Sequence, residues 1–431
     1  MGVLKHHSQP LPYTSSPVRL ALEDLWLFVR ITFVWPVTKS LPSVVLPFYP
    51  FRSGPLDELY PSPQNLWALS LHIFLIFTQA AFILLLVPSV FLGLPVPLLS
   101  WTPTCILGVV GFVVGNDYFC ILLNGTKRRY ESIVDPEWQE AWQKHDDEKW
   151  VFINGVAAGD HWMQSNLDRL ALTFRRPIHG IHNKTRGILF DTIECIIQRT
   201  FGYATPDIRE IYSDVSNFIE EQREQAYRYK KIVIILHSQG AIEGGIVLDW
   251  LYANTDRDLL KKVEIYTFGS AANHFNSPED GDGNRIVKHI EHYANLGDWV
   301  SLFGILHFRP LPKPGKTRYV SQQAREEMEN RYVGRLFVRK GSGHQLNGNY
   351  LDDYFTMSTD DQDRLVAVRD ENDFMSSELN EQILADYDIA SKVSEKDVWD
   401  CSSKGQHREN GRVIKDVSRL WQYRNGMSPE D

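Results

Sequence analysis

The sequence predicts an α/β fold in which a mostly parallel sheet carries helices on both faces, preceded by an N-terminal membrane helical hairpin. Between residues 148 and 358, short apolar runs alternate with helical patterns, as expected when each strand returns to a parallel sheet through a helix. One of these runs, Ile232–Leu236, is followed by a serine and then by a helix. Ahead of this region, residues 59–116 contain no Asp, Glu, Lys or Arg. These three observations predict an anchor followed by a folded domain.

The composition of the 431 residues excludes some classes of function. A net charge of −9 gives no reason to expect nucleic acid as a partner. The four cysteines are widely spaced and form no metal-ligand pair, so the sequence predicts no metal site and no cofactor, and favours a reducing compartment. Two N-x-Thr sequons, at Asn124 and Asn183, point towards a secretory compartment instead.

The first third of the chain predicts a membrane anchor. Residues 1–63 form a polar, proline-rich segment in which Leu20–Trp35 is predicted to be an interfacial helix. Two apolar runs, at about 66–87 and 104–123, are each long enough to cross about 30 Å of hydrocarbon as a helix. With the proline- and glycine-rich bend between them, they are predicted to form a membrane hairpin over residues 64–125.

The charges that flank this hairpin predict its orientation. Arg52 precedes it and Lys127–Arg129 follow it, whereas the bend between the spans carries no charge. By the positive-inside rule both ends lie in the cytosol, so we expect an integral membrane protein with a cytosolic catalytic domain. The alternative is a buried helical hairpin of a soluble core, although such helices normally have a polar face. Asp117 lies within the second span and makes it the less secure of the two.

Residues 148–358 are predicted to form the catalytic domain, with six strands and four helices. The predicted strands are Trp150–Ile153, Pro177–His182, Ile232–Leu236, Val263–Phe268, Arg285–Ala294 and Arg335–Arg339. The predicted helices are Met163–Phe174, Ile188–Phe201, a longer helix from Ile208 towards Tyr229, and Ala241–Leu251. Residues 359–431 are predicted to be an acidic, partly helical C-terminal appendage.

Ser238 is the candidate nucleophile. A sharp turn from a buried strand into a helix holds a serine hydroxyl above the sheet edge, where the helix N-terminus also points. Such a serine can attack a carbonyl carbon while backbone N–H groups stabilise the oxyanion. Leu236 departs from the small residue usual two positions earlier, and His237 is expected to point away from the serine. The alternative is a serine that caps a buried helix.

Asp298 and His344 are the candidate acid and base. Each directly follows a predicted strand, and the order serine, acid, histidine is one of those known for hydrolytic triads. Asp298 would orient the imidazole, while His344 would take the serine proton and return it to the leaving group. His307 is the rival for the base. His289 and His292 fall inside a predicted strand, where a structural role is the default.

The backbone N–H groups of Val156 and Gln239 are the candidate oxyanion hole. Gln239 directly follows the candidate nucleophile, and Val156 lies in the loop after the strand that ends at Ile153. Asn154 and Gly155 open this loop. An ordinary strand-to-helix turn would need a glycine there as well, so the loop fits both interpretations.

Five stretches around these residues match the patterns of one enzyme superfamily: His237–Gly240, Ile265–Ser270, Asn295–Val300, Gly343–His344 before Tyr350, and Asn154–Gly155 with Phe174–Pro177. Together they resemble α/β-hydrolase serine esterases, namely fungal triacylglycerol-lipase-like proteins and a fungal group of uncharacterised membrane-linked members. The resemblance covers residues 150–360 and implies an α/β-hydrolase fold with Ser238, Asp298 and His344 as the triad. Leu236 and Asn154 stand where most members have Gly and His.

The sequence thus predicts a membrane-anchored serine hydrolase that cleaves carboxylic esters through an acyl-enzyme. Its expected partners are the membrane and a lipid or other acyl-ester substrate, and the lipid is inferred from the anchor alone. The alternatives are a catalytically inactive membrane scaffold of the same fold, or a thioesterase or protein deacylase with the same triad. The basic loop Arg309–Lys316 is predicted to be a solvated surface loop, with a lid as the alternative.

Overall fold

The computed structural model describes residues 16–34, 42–89, 101–133, 145–224, 229–280, 283–309, 332–377 and 413–430. The helices are α1 (Pro17–Val29), α2 (Pro63–Ala81), α3 (Trp101–Asn124), α4 (Asp160–Phe174), α5 (Ile188–Phe201), α6 (Pro206–Glu224), α7 (Gly240–Asn254), α8 (Arg257–Leu260), α9 (Trp299–Phe303), α10 (Ile305–Phe308), α11 (Asp352–Tyr354), α12 (Ile414–Val417) and α13 (Arg419–Gln422). The strands are β1 (Arg129–Glu131), β2 (Glu148–Ile153), β3 (Ile178–Ile181), β4 (Lys231–His237), β5 (Val263–Phe268), β6 (His289–Gly297), β7 (Arg335–Ser342), β8 (Met357–Thr359) and β9 (Leu365–Val368). Most of the predicted bend, of the basic loop and of the segment after residue 377 lies outside the described residues.

Seven strands form one sheet in the order β1-β3-β2-β4-β5-β6-β7, and β1 alone in this sheet runs antiparallel to its neighbour. The predicted α/β class, with a mostly parallel sheet flanked by helices, is confirmed. The central strand β4 places Leu236 opposite Ile153 of β2 and His237 opposite Phe268 of β5. Because the carboxyl ends of parallel strands meet at one edge, the segments after β2, β4, β5, β6 and β7 converge there.

Strand β6 differs from its prediction, since it begins at His289 rather than at Arg285. Residues before it form a loop in which Ser277 Oγ donates to the carbonyl of Val287 and accepts from its N–H, both at 3.0 Å. Arg285 donates from its side chain to the carbonyl of Ser277 at 2.8 Å. Apolar Val287 is buried in this loop without belonging to the ladder, which explains why the apolar run resembled a strand. At its other end β6 continues to Gly297, directly before Asp298.

Alternate residues of β4 enter two different cores, because successive side chains of a strand point to opposite faces of the sheet. Ile232, Ile234 and Leu236 lie in a core shared with α1, α5, α6 and α7. Val233 and Ile235 lie in a second core shared with α4 and with residues after 345. The unbroken apolar run in the sequence is thus a strand buried on both faces.

The described parts of residues 359–431 pack against the sheet, although the sequence predicts an appendage. Leu420, Trp421 and Tyr423 are at most 1% exposed and belong to the second core. Arg419 pairs with the buried carboxylate of Glu264 at 2.8 Å. The acidic composition of the whole segment obscured the short apolar stretch that returns to the domain.

Helices α2 and α3 belong to two segments that are long and apolar enough to cross a membrane. In the most apolar window of each, only 24% and 17% of the residues are buried by the rest of the described structure. The outward side chains of α2 include Leu66, Trp67, Ile73 and Phe77, which are 54–72% exposed. A helix in the core of a soluble protein would instead bury most of these side chains.

Helix α2 also has a narrow polar stripe, which the high mean hydropathy of this segment conceals. Asn65, His72 and Gln79 are spaced seven residues apart, and each is at most 6% exposed. Trp162 of α4 donates from its indole to Asn65 at 2.9 Å and stacks on the ring of His72 at 5.2 Å. Gln79 donates to the main-chain carbonyl of Arg186 at 2.6 Å. The hairpin is therefore fixed along the side of the domain.

Candidate active site

Ser238 lies in a strained turn between β4 and α7. Its φ is +58°, in the left-handed region that non-glycine residues rarely adopt. Strain of this kind costs on the order of 1–3 kcal/mol and is typical of functional sites. The turn is fixed by a hydrogen bond from the Ser238 N–H to the carbonyl of Phe268, at 3.0 Å. Only glycine fits beside it at position 155, where an added Cβ would lie 2.4 Å from the Cβ of Ser238.

Helix α7 compensates for the large residue at position 236. Leu236 is 1% exposed, and its side chain lies over Gly244, where an added Cβ would be 2.5 Å from Leu236 Cδ1. The space usually left by a small residue before the serine is here provided one turn into the following helix. Leu236 is therefore compatible with a formed elbow at Ser238.

The structure brings Asp298 and His344 together. Asp298 is fully buried and caps α9, with Oδ1 accepting from the N–H of Val300 at 2.9 Å. Its Oδ2 accepts from His344 Nδ1 at 2.9 Å, from the hydroxyl of Tyr350 at 2.7 Å and from Ser301 Oγ at 2.9 Å. Burial and the Asp298 carboxylate raise the pKa of Tyr350, so this hydroxyl stays a donor. Four donors stabilise the carboxylate and fix the imidazole.

The second ring nitrogen of His344 is left without a hydrogen bond to the described residues. His344 Nε2 is buried and has no hydrogen-bond partner among the described residues. His344 lies over Gly269, where an added Cβ would be 2.8 Å from Cε1, and the preceding Phe268 holds the N–H of Ser238. The hydrogen bond between Ser238 and His344 is not formed in this structure; in ligand-free sites such bonds are often long.

His237 contacts the candidate base. Its ring stacks on that of His344 with the centroids 4.7 Å apart, and its Nε2 lies 2.9 Å from the carbonyl of His344. Burial, followed by the proximity of His344, lowers the pKa of His237 well below its usual range. His237 is thus a neutral ring that packs against His344 and can donate to its main chain.

The rival histidines occupy other environments. His307 is exposed and lies against Phe308, with the ring centroids 4.7 Å apart. His292 is fully buried between Thr267 Oγ1 at 2.8 Å and the carbonyl of Val333 at 2.9 Å. Burial lowers the pKa of His292 to about 3, as expected for a structural histidine. Neither is among the hydrogen-bond partners of Asp298.

The two candidate oxyanion donors belong to segments that flank Ser238: Gln239 follows it directly, and Val156 follows Gly155, which lies against it. The N–H groups of Val156 and Gln239 have no hydrogen-bond partner among the described residues. The turn that carries Val156 is held by the next residue, Ala157, whose φ is +59° and whose N–H donates to Asp191 at 3.0 Å. Burial raises the pKa of Asp191 to about 6. Asp191 thus holds the turn next to Val156, whose N–H, like that of Gln239, can donate to a ligand.

A chain of side-chain amides connects the two donor segments. Asn154 donates to the carbonyl of Asn183 at 2.9 Å and accepts from its N–H at 2.8 Å. The amide of Asn183 then donates to Gln239 Oε1 at 2.9 Å, and Gln239 donates to Gln198 at 3.0 Å. Asn154 therefore has a positioning role of its own. These partners lie 29 to 56 residues apart in sequence, and no local pattern could have shown that they meet.

The segment Ser43–Tyr49, part of the predicted proline-rich N-terminal segment, contacts residues at and beside the candidate acid and base. The carbonyl of Val44 accepts from the N–H of His344 at 3.1 Å, and Ser43 Oγ accepts from the N–H of Trp299 at 2.9 Å. Ser238 itself is 2% exposed. The outward side chains of the segment Ser43–Tyr49 are largely apolar: Val45, Leu46, Phe48 and Tyr49 are 39–74% exposed.

Other features bear on compartment and ligand. Both sequon asparagines are buried, and their amides donate within the domain: Asn124 to the carbonyl of Thr185 at 2.7 Å, and Asn183 as above. A glycan on either would be incompatible with this fold. Among the described residues, no group of three or more His, Cys, Asp or Glu side chains could hold a metal ion.

A cavity of about 420 Å³ lies at the β1–β3 edge, lined by Lys127–Arg129 and acidic residues of α6 rather than by Ser238. Two of its arginines pair with carboxylates of its own wall. Arg128 pairs with Asp207 at 3.0 Å, and Arg129 donates to Asp214 at 2.9 Å. We assign it no role in the chemistry.

Comparison with known proteins identifies no related protein. No protein-family model, curated protein or solved structure matches the chain. Any assignment of function therefore depends on the geometry around Ser238, Asp298 and His344.

Proposed function

We propose that the chain is a membrane-anchored serine hydrolase of α/β-hydrolase fold that cleaves carboxylic esters of lipids. The observation that carries this proposal is the buried Asp298–His344 pair at the same sheet edge as a strained Ser238. The unoccupied N–H groups of Val156 and Gln239 support it, because a serine hydrolase needs donors beside its nucleophile.

Each candidate residue has one role in the proposed reaction. Ser238 Oγ attacks the ester carbonyl carbon while His344 Nε2 takes its proton, and Asp298 stabilises the imidazolium that forms. The oxyanion of the tetrahedral intermediate accepts from the N–H groups of Val156 and Gln239. Collapse breaks the C–O bond, and the leaving alcohol takes the proton from His344. Water then attacks the acyl-enzyme with the same histidine as base, releasing the acid and restoring Ser238.

The membrane part of the proposal rests on the hairpin. The α2 and α3 segments have mean hydropathies of 2.2 and 2.0 in their most apolar windows, and most of their surface is unburied. We propose that they anchor the protein in a bilayer with the catalytic domain on the cytosolic side. A domain held there encounters lipid esters at high local concentration, which favours them as the substrate class over soluble esters.

The alternative is a catalytically inactive membrane scaffold of the same fold. Two observations favour this alternative. Ser238 and His344 form no hydrogen bond, and Leu236 stands where a small residue is usual, which would mark a decayed elbow. The space that Gly244 leaves for Leu236 speaks against decay. A thioesterase or protein deacylase would use the same residues on another acyl donor.

The decisive experiment is labelling with a fluorophosphonate, which reacts only with activated serines. The full-length protein in detergent should be labelled, and Ser238→Ala should lose the label. Ser270→Ala is the matched control, because Ser270 is also fully buried and its hydroxyl bonds that of Tyr332 at 2.6 Å. Absence of labelling in a well-folded wild-type protein would favour the scaffold, and thioester hydrolysis exceeding that of oxygen esters would favour the thioesterase.

The anchor is tested separately by extraction from membranes. We expect the protein to stay with the membrane in high salt or alkaline carbonate and to be released by detergent. An integral hairpin is held by apolar contact with lipid, which salt does not weaken. Release by salt alone would contradict the anchor without bearing on the chemistry of Ser238.

A further inference from the structure

Helix α1 exposes an apolar stripe although it belongs to the folded domain. Val18, Leu22, Leu25 and Trp26 are 52–68% exposed and fall within about 100° of the helix circumference. On the other side of the helix, Leu27 is 6% exposed and lies in the main core. The helix thus has one face for the core and a second apolar face without a partner among the described residues.

Helix α5 lies beside α1 and continues this surface. The two helices are joined by a buried ion pair between Arg199 and Asp24, with a nitrogen–oxygen distance of 2.6 Å. Ile193, Ile197 and Phe201 are spaced four residues apart on α5 and are 38–50% exposed. We call the outward apolar side chains of both helices the α1–α5 face: Val18, Leu22, Leu25, Trp26, Ile193, Ile197 and Phe201.

The hairpin adjoins this face of α5 near the N-terminal end of the helix. Phe82, just beyond α2, lies 6.1 Å from Phe190 of α5 and stacks on Phe112 of α3 at 4.0 Å, measured between ring centroids. The segment that contains α2 contacts the domain from Asn65 to Phe82, which is about 25 Å of helix length. The anchor therefore runs alongside the domain, and a bilayer that surrounds it reaches α5 as well.

We propose that the α1–α5 face is inserted into one leaflet, in the headgroup and outer acyl region, beside the hairpin. The occupant is a lipid bilayer, because the face is continuous with the two helices that are apolar enough to cross one. This inference rests on the proposed anchor and does not depend on the proposed hydrolysis. Combined with the proposed hydrolysis, insertion of this face means that the substrates are esters dissolved in the same leaflet.

The test is depth-dependent quenching of a fluorophore on the full-length protein in vesicles. Bimane is attached at Trp26→Cys or Ile197→Cys, in a chain carrying Cys401→Ser so that the other native cysteines, all buried, give little background. Asp258→Cys is the control, because Asp258 lies on α8, outside the α1–α5 face, and its side chain is 82% exposed. The vesicles are phosphatidylcholine with nitroxides placed on the headgroup or along the acyl chain.

We expect acyl-chain nitroxides to quench bimane at positions 26 and 197 about threefold more than at position 258. Equal quenching at the three positions would overturn the proposal, even if extraction shows the hairpin to be integral. So would oxidative cross-linking of two protomers through the thiol introduced at position 26 or 197, without lipid quenching, since the occupant would then be a second copy. Fluorophosphonate labelling is read independently, so failure of the hydrolase proposal is distinguishable from either result.

Discussion

Gly244 and Leu236 should be energetically coupled, because one leaves the space that the other fills. An alanine at 244 would place its Cβ 2.5 Å from Leu236 Cδ1 and 3.2 Å from Cγ, so the buried leucine side chain would have to shift. Overpacking of this kind costs about 1–3 kcal/mol. Helix propensity offsets about 1 kcal/mol of it, since glycine is the poorer helix former. We therefore expect Gly244→Ala to destabilise the protein by about 1 kcal/mol.

The next residue supplies a matched control. At Gly245 an added Cβ would meet nothing closer than 3.5 Å, so Gly245→Ala keeps the gain in helix propensity without the overlap. Thermal unfolding of the detergent-solubilised protein should show Gly244→Ala below wild type and Gly245→Ala above it. For a domain of this size 1 kcal/mol corresponds to about 2–4 °C.

A double-mutant cycle then tests the pairing itself. Leu236→Ala leaves a cavity and should cost about 2–5 kcal/mol, whereas Leu236→Ala with Gly244→Ala should cost less than the sum of the single changes by about 1–2 kcal/mol. Additive effects, or a Gly244→Ala protein as stable as Gly245→Ala, would refute the argument that α7 compensates for Leu236.

Three further predictions follow from the site and its surroundings. Tyr350→Phe removes a hydrogen bond to the acid and should slow fluorophosphonate labelling about tenfold, while Tyr354→Phe, which loses a bond to a main-chain carbonyl, should not. His344→Ala should abolish labelling and His307→Ala should leave it unchanged, as judged by labelling of folded protein. Burial raises the pKa of Glu58 to about 7 from an ordinary 4.5, so the folded protein holds a proton that the unfolded chain has released. As pH rises from 5 to 8, stability should therefore fall by on the order of 3 kcal/mol more in wild type than in Glu58→Gln. The buried carboxyls of Asp57 and Asp191, whose pKa values are also raised, are present in both proteins.

Each of these has a result that would contradict it. Equal labelling rates for both tyrosine variants would mean that the bond to Asp298 does not matter to the nucleophile. Loss of labelling in His307→Ala, with retention in His344→Ala, would reverse the assignment of the base. Parallel melting-temperature profiles of wild type and Glu58→Gln between pH 5 and 8 would mean that Glu58 is ionised in the folded state.

The sequence was informative where a feature depends on local pattern. Apolar runs located the strands, and parallel strands end at one edge, so the placement of Asp298 and His344 directly after two strands predicted that they meet. The prediction for β6 erred at its start because Val287 is buried in a loop, which periodicity cannot distinguish from a strand. The catalytic role of Ser238 and the membrane role of the hairpin remain predictions.

Features that depend on contacts between distant segments could not be predicted. Nothing near Asn154 indicates that it pairs with Asn183, and nothing near Val44 indicates that its carbonyl accepts from the N–H of His344. The polar stripe of α2 was missed for a related reason. One polar residue every seven positions hardly lowers the mean hydropathy of a helix, yet it specifies which side of the helix faces the domain.

That stripe has a consequence for how the protein is made. Asn65 and His72 leave the ribosome almost a hundred residues before their partner Trp162, and Gln79 precedes the carbonyl of Arg186 by more. If the hairpin enters the bilayer during synthesis, its polar groups first face lipid or the insertion machinery. Their partners arrive only when α4 and the segment before α5 have folded, so the last step of biogenesis is the closure of the domain onto its own anchor.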